Sequence, residues 1–242
     1  MMGNRRRSMA YLLPKKDTLE NTSWANIDKV AAAGKAAEYW DVGDTKTITF
    51  PSAVLGSTVI TVKIMGFDYD DLADGSGKTP ITFGMVDCFA TKARMNSWDS
   101  NMTSWGECEL RTTIINTVLP AFRAVISGNI IKPVSKRTSA GLKSTTINTT
   151  TDSIWLFSEY EIFGVVTLSV SGEKPTDKSI CYPAFTDSAS RIKKAAGAAL
   201  YGWWGRSPHS NSNTVFCKVG SDGGANNANA SSDSGVAVGF CV

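Results

Sequence analysis

Few residues of this chain have the types and spacing that catalysis requires. The single histidine, His209, lies in the polar stretch SPHSNSN, and no pattern in the sequence supplies an acid to orient it as a base. Glu159 and Glu161 are two residues apart, so on a strand they would share a face and could resemble a carboxylate dyad. We instead expect one of them to pair with a basic group such as Arg206, because buried charges need partners. The sequence therefore predicts no catalytic residue and no enzymatic activity.

Metal-binding side chains are also poorly arranged for coordination. Residues 68–77 (DYDDLADGSG) hold four Asp residues, but the ligand order of an EF-hand and its closing Glu are absent. The cysteines are odd in number and lack a Cys-x-x-Cys spacing, so we expect them to stay unpaired and to pack as small apolar residues. These are Cys88, Cys108, Cys181, Cys217 and Cys241. The sequence predicts no metal and no cofactor.

Length and composition limit the class of protein. At 242 residues and 42% hydrophobic content, the chain is long enough for one sizeable core. A net charge of +3 with 19% charged residues is too mild to indicate a nucleic-acid partner. No apolar run approaches the roughly 18 residues of a membrane helix, and the apolar stretch AYLLP is too short for a signal peptide. We therefore expect no membrane insertion and folding in a cytoplasm.

Periodicity predicts both helices and strands. A helix should begin near Ser23, a good N-cap, and end at Gly34. A second should cover residues 107–126, with Pro120 kinking or splitting it, and a third, short helix should lie in DSASRIKKAA. Alternating segments such as STVITVKIMGF, ITFGMVDCFA and SIWLFSEYEIFG predict strands. The two last apolar segments, 215–219 and 236–240, should form a hairpin across a polar loop. The fold class is α+β with antiparallel strands and two or three helices.

The C-terminal fifth of the chain has the composition of a binding surface. Runs of Asn, Ser and Gly beside aromatic residues resemble an antibody-type paratope, in which small polar groups supply adaptable hydrogen bonds. The alternative is that Asn and Ser are simply good turn residues. Of the adjacent tryptophans we expect one to be a buried anchor and the other a partly exposed platform. The expected ligand-binding residues, within a face of about 203–235, are Trp203, Trp204, Arg206, His209, Ser210, Asn211, Asn213, Asn226, Asn227, Asn229, Ser231, Ser232 and Asp233.

Several motifs together resemble a domain family found in phage structural proteins and in surface or secreted proteins of gut Firmicutes. They include IMGFDYD, WGECELRTTIINTVLPAF, WWGRSP, FCKVGSDGG and GVAVGFCV, and the resemblance spans roughly residues 24–242. The ending is similar to that of the C-type-lectin-like fold of formylglycine-generating enzymes and of retroelement-diversified variable proteins. The resemblance implies a C-type-lectin-like domain over residues 21–242. In the variable proteins the loops before the terminal strand form the ligand-binding face.

The Arg-rich start is similar to openings of phage tail and minor structural proteins. Arg5, Arg6 and Arg7 would anchor an extended N-terminal arm, residues 1–20, to other virion proteins through bidentate bonds to carboxylates. The alternative is a solvated basic leader. The expected function is that of a virion structural protein, in a tail tip or fibre or a capsid head fibre or decoration, that binds a host surface glycan or protein. We expect it to be a homo-oligomer. The alternatives are a purely structural virion module and, less favoured, an enzyme of the formylglycine-generating type.

Overall fold

Antiparallel strands and short helices make up the fold. The computed structural model describes residues 13–127, 129–175, 181–195 and 200–242. Its strands, in chain order, are β1 (Thr45–Val54), β2 (Ser57–Phe67), β3 (Ile81–Met85), β4 (Val134–Ser139), β5 (Ile147–Asp152), β6 (Ile154–Trp155), β7 (Lys193–Lys194), β8 (Leu200–Tyr201), β9 (Trp203–Pro208), β10 (Val215–Val219), β11 (Ala225–Asn229) and β12 (Gly239–Cys241). Its α-helices are α1 (Trp24–Ala32), α2 (Ala36–Tyr39), α3 (Glu109–Thr113), α4 (Leu119–Ile126), α5 (Glu159–Phe163) and α6 (Ser188–Arg191). Antiparallel sheets with few helices are compatible with the predicted α+β class.

The largest sheet has five antiparallel strands in the order β1-β2-β3-β12-β6. The C-terminal strand β12 therefore lies inside the sheet, with Phe240 directly opposite Phe83 of β3. These two rings stack with their centroids 5.3 Å apart. Trp24 of α1 packs against Phe83 at 5.4 Å, and Phe122 of α4 packs against Phe240 at 5.4 Å. Helices α1 and α4 thus contribute to one aromatic core with the centre of the sheet.

The predicted helices follow local signals; the structure confirms the limits of the first and gives the second and third shorter bounds than predicted. Ser23 caps α1 by accepting a hydrogen bond from the backbone N–H of Asn26, and Gly34 follows the helix in the left-handed conformation with φ of 67°. In the second helical region α3 gives way to a π-helical turn, Ile114–Val118, before α4. Pro120 has no N–H to donate to the preceding turn, which accounts for the interruption that the sequence predicts. The short helix α6 lies within the predicted segment.

The predicted C-terminal hairpin is wrong. Strand β10 pairs with β11 and β9 in a three-stranded sheet, whereas β12 pairs with β3 and β6. The polar run 225–229, expected to be a loop, is therefore a strand. The Gly-rich segment 220–224 closes a tight turn directly after β10, with Asp222 accepting a hydrogen bond from the N–H of Gly224 at 3.0 Å. The residues of this turn reverse the chain directly after β10 and so make β11 the neighbouring strand of β10.

The segment SIWLFSEYEIFG is also not a single strand. Only Ile154–Trp155 is a strand, and Glu159–Phe163 is the helix α5. Ser158 and Glu161 form a capping box, in which each side chain accepts a hydrogen bond from the other residue's backbone N–H. The expectation that Glu159 and Glu161 share the face of a strand is therefore wrong.

Part of the predicted N-terminal arm is described, and it contacts the domain. Leu19 is buried in the core, and the carbonyl oxygens of Pro14 and Asp17 accept hydrogen bonds from the side chains of Tyr39 and Trp40. Residues 13–20 are thus packed against the body of the fold. The expected anchoring residues Arg5, Arg6 and Arg7 lie outside the described residues.

Candidate functional site

The two adjacent tryptophans of β9, expected to contribute to the ligand-binding face, lie in the interior. Trp203 and Trp204 are both fully buried, so the expectation that one is a partly exposed platform is wrong. The indole N–H of Trp203 donates to the carbonyl of Arg191 at 2.9 Å, and that of Trp204 donates to the carbonyl of Ala93 at 2.8 Å. The ring of Trp203 also stacks on Phe185. Both sides of β9 are covered by other segments, which is why strand alternation exposes neither ring.

Arg206, two residues further along β9, is buried and paired. Its Nη1 and Nη2 lie 2.5 and 2.9 Å from Oε2 and Oε1 of Glu161, and Nη1 also donates to the carbonyl of Leu156 at 2.9 Å. The expected pairing of one glutamate with Arg206 is confirmed. Arg206 therefore stabilises the interior and is not displayed beside the polar loops.

An exposed surface is built where three segments meet. Asn101 donates its backbone N–H to the carbonyl of Asn213 at 2.8 Å and its side-chain amide to the carbonyl of Ser212 at 2.8 Å. Asp99 accepts a hydrogen bond from the hydroxyl of Ser231 at 2.5 Å and one from the amide of Asn229 at 3.3 Å. Residues 97–102 thus fix the turn after β9 to the end of β11.

Two large apolar side chains are exposed on the segment 97–102. Trp98 is 45% exposed and Met102 is 60% exposed, although most apolar side chains of this size are buried. We define the loop face by residues of the three segments: Trp98, Asp99, Met102, Asn211, Asn213, Asn229 and Ser231. Trp98, Asp99 and Met102 were not predicted as site residues, because their place in the site depends mainly on which segments lie next to them in space. The one local signal was a Trp and a Met in SWDSNM, a segment without helix or strand periodicity.

The remaining predicted residues lie around this face. His209 is half-buried, and its Nδ1 accepts a hydrogen bond from the N–H of Asn211 at 3.0 Å. Ser210 donates its backbone N–H to Leu168 at 2.8 Å, and Ser232 donates its own to Asn229 at 2.9 Å. Asp233 forms an exposed ion pair with Arg94 at 3.3 Å.

The register of β11 divides the predicted asparagines. Asn227 is opposite Cys217 and Asn229 is opposite Val215, whereas Asn226 is opposite Lys218. Because successive residues of a strand point to opposite sides, Asn227 and Asn229 share one side of β11 and Asn226 lies on the other. All three are exposed. Asn226 therefore does not share a side with Asn229, the residue that contacts Asp99.

A buried charge network extends from Arg206 into the core. We use this name for Asp70, Lys136, Glu161, Tyr182 and Arg206. Lys136 Nζ lies 2.5 Å from Asp70 Oδ1 and 3.1 Å from Glu161 Oε1. The hydroxyl of Tyr182 donates to Asp70, and its oxygen lies 2.8 Å from Oδ2. The buried acids and bases therefore compensate one another.

Two further buried glutamates flank the charge network. Glu159 accepts hydrogen bonds from the backbone N–H groups of Thr167, Leu168 and Ser169. Glu173 accepts one from the N–H of Ser139 at 2.8 Å and one from the hydroxyl of Ser207. Burial raises the pKa of Glu173 to about 7, although both hydrogen bonds lower it.

A cavity of about 210 Å³ adjoins the charge network. Asp70, Glu161, Glu173 and Arg206 line it from the interior, and Arg137 lines it from the surface side. Within the described part of the chain, no group of three or more His, Cys, Asp or Glu side chains is arranged to hold a metal ion. The cavity therefore offers space for water beside buried charged groups.

The fold and the site define a mixed domain of antiparallel sheets and few helices with an exposed loop face. The chain belongs to the family described as "Domain of unknown function (DUF6273)", which matches residues 78–242. No curated protein and no solved structure matches the chain. None of the helices among the described residues is long and apolar enough to cross a membrane.

Proposed function

We propose that this protein is a structural protein of a phage virion and that its loop face binds a glycan or protein on the host surface. The observation that carries the proposal is the exposure of Trp98 and Met102 beside the polar side chains of the loop face. Exposed aromatic residues supply contact area at low entropic cost, and Asn and Ser supply adaptable hydrogen bonds. The same combination is found in protein surfaces that bind ligands.

The hydrogen bonds that join the segments of the loop face favour a binding role. Asn101 and Asp99 connect the exposed segments in this way. Loops held together by such contacts lose little conformational freedom when a ligand binds. The location of polar residues on such loops is also typical of binding sites.

The virion setting and the C-type-lectin-like fold belong to the same proposal. They are supported by the resemblance of the motifs, above all WWGRSP and GVAVGFCV, and by the position of β12 within the sheet. In this proposal Arg5, Arg6 and Arg7 anchor the chain to other virion proteins. Many copies on one particle would multiply weak individual contacts.

The proposal is tested by binding of labelled full-length chain to intact host bacteria. Trp98→Ala and Asn213→Ala should each weaken binding, and we expect a loss of at least about tenfold for Trp98→Ala, as for an exposed aromatic anchor. Their melting temperatures should stay near that of the wild type, because exposed substitutions usually change stability by less than about 0.5 kcal/mol.

Two control variants distinguish the loop face from the rest of the surface. Asn226→Ala removes an exposed asparagine from the other side of β11, and Val59→Ala removes an exposed apolar side chain from the five-stranded sheet. Both should bind as the wild type does. Equal binding by all four variants would contradict the role of the loop face. A wild-type chain that binds no host cells would favour the purely structural module.

A further inference from the structure

Lys136 and Asp70 meet deep inside the protein. Lys136 lies on β4 and Asp70 lies in the segment after β2, and their side chains are only 1% and 2% exposed. Nζ and Oδ1 are 2.5 Å apart and form a direct, hydrogen-bonded ion pair. The backbone of Asp70 is held by Thr79, whose N–H donates to its carbonyl at 2.7 Å, and β4 is held by β5. The amine of Lys136 and the carboxyl group of Asp70 are therefore held in direct contact.

Burial and two aromatic rings exclude water from this pair. The ring of Trp155 lies 3.8 Å from Lys136 Nζ, and the ring of Tyr182 covers it at 5.8 Å. Two buried charges lose their hydration, and their mutual attraction only partly restores that free energy. Conversion of the ion pair to a neutral group would remove this cost.

Hydrogen-bond donors surround the second oxygen of Asp70. Thr82 donates its hydroxyl to Oδ2 at 2.6 Å, and Tyr182 donates to the same atom at 2.8 Å. Burial, followed by the charge of Asp70, raises the pKa of Tyr182 well above its usual value, so the hydroxyl keeps its proton. The two hydroxyls can stabilise negative charge that develops on Oδ2 during attack at the carboxyl carbon.

We propose that Lys136 and Asp70 condense to form an intramolecular isopeptide bond. The bond between Nζ of Lys136 and Cγ of Asp70 forms, and the bond between Cγ and Oδ1 breaks. Oδ2 becomes the carbonyl oxygen of the new amide. Two of the three protons of the ammonium group leave with Oδ1 as water, and the third stays on the amide nitrogen. The reaction needs no oxidant, reductant or other reactant, and a buried ion pair becomes a neutral amide and one water.

Glu161 is placed to carry the protons. Its Oε1 lies 3.1 Å from Nζ, where it can accept a proton before attack and return it to the departing oxygen. Burial would raise the pKa of Glu161, but Arg206 and Lys136 lower it well below its usual range. Glu161 is therefore ionised, which is the form that can accept a proton from Nζ. The cavity beside Asp70 and Glu161 gives the released water a way out of the site.

Mass spectrometry of the denatured full-length chain tests this proposal, which does not depend on host binding. The wild type should be lighter than its sequence by one water, about 18 Da, since an isopeptide bond survives denaturation. Proteolysis should yield one branched peptide in which the segments around Asp70 and Lys136 are joined. A wild-type chain with the full sequence mass would overturn the proposal.

Three variants locate the reaction. Lys136→Arg preserves the positive charge but cannot condense, so it should have the full mass. Glu161→Gln preserves the shape of the side chain and should have the full mass or form the bond much more slowly, because it cannot shuttle the proton. Lys46→Arg is the control: Lys46 is also buried, but it donates to the carbonyls of Leu19, Glu20 and Thr22 and should leave the mass deficit unchanged. A mass deficit that persists in Lys136→Arg would overturn the assignment of the bond to Lys136. Where a variant fails to fold, the presence or absence of the branched peptide in the wild type still decides whether the bond forms.

Discussion

Among individual residues, Glu173 is a carboxylic acid whose pKa burial raises into the physiological range. It is buried, and the raised pKa of about 7 means that the folded protein holds a proton that the unfolded chain releases near the usual pKa of 4.5. The carboxyl group accepts one hydrogen bond from Ser139 and one from the hydroxyl of Ser207. A glutamine could accept the first bond with its oxygen and donate the other with its amide.

The free energy of unfolding should therefore fall as the pH rises from about 4.5 to about 7 through the contribution of Glu173. Between these values the folded state binds more protons than the unfolded state, so stability decreases with pH, and above pH 7 the loss is complete. The shift corresponds to on the order of 3 kcal/mol. In Glu173→Gln this decline should be absent, which chemical denaturation at pH 4 and pH 8 would measure.

Glu159→Gln is the matched control for this prediction. Glu159 is also buried, but both of its oxygens accept hydrogen bonds from N–H groups or hydroxyls of residues 167–169. An amide nitrogen would face those donors, so Glu159→Gln should be destabilised at both pH values. A Glu173→Gln variant with the same pH dependence as the wild type would show that Glu173 does not titrate as described.

At the scale of elements, a pair of glycines lets the C-terminal strand pack under an aromatic ring. Gly239 of β12 is directly opposite Gly84 of β3. A Cβ atom at either position would lie 2.8 Å from Cζ of Phe157. The Phe157 ring can therefore rest on the sheet only where both strands lack side chains, and this contact helps to fix the position of β12.

Gly84→Ala should destabilise the protein by about 1–3 kcal/mol, as overpacking does in a dense core. The added methyl group would also lie 2.9 Å from Met65 Cγ and Sδ, so more than one neighbour has to move. Thermal melting of the purified variant measures the effect. Gly106→Ala is the control, because its Cβ would meet only Thr150 Cγ2 at 3.5 Å, an ordinary contact. Similar melting temperatures for both variants would contradict the steric explanation.

At the scale of the whole molecule, the core encloses most of the thiols. All five cysteines are free, four of them are buried, and Cys181 is partly exposed. Burial raises the pKa of Cys88 and of Cys108 to about 12 and raises the pKa of Cys217 and Cys241 well above the usual value. Thiolates are therefore scarce in the folded protein at neutral pH.

A thiol reagent should modify Cys181 first in the native protein, and all five cysteines only after unfolding. Mass spectrometry after a short exposure at pH 8, with and without denaturant, measures the number and position of the modified residues. The rate at the four buried thiols then reports opening of the core. A disulfide in the freshly purified protein, or equal native reactivity at Cys217 and Cys181, would contradict this description.

The sequence by itself determined the elements whose signals are local. Ser23 and Gly34 limit α1, Pro120 interrupts the second helix, and alternation predicts β2, because caps, breakers and periodicity act over a few residues. Because a buried charge needs a partner, the sequence was also enough to predict an ion pair between a glutamate and Arg206. The capping box of α5 was also present in the sequence, but the apolar alternation around it favoured a strand.

Only the tertiary structure decided which distant segments meet. The insertion of β12 between β3 and β6 depends on Gly84 and Phe157, which are remote from it in sequence. Burial of both tryptophans of β9, the contact of Asn101 with Asn213 and the approach of Lys136 to Asp70 have the same origin. Burial and charge pairing depend on all the surfaces that surround a side chain, and the chain brings those surfaces together only when the whole core has packed.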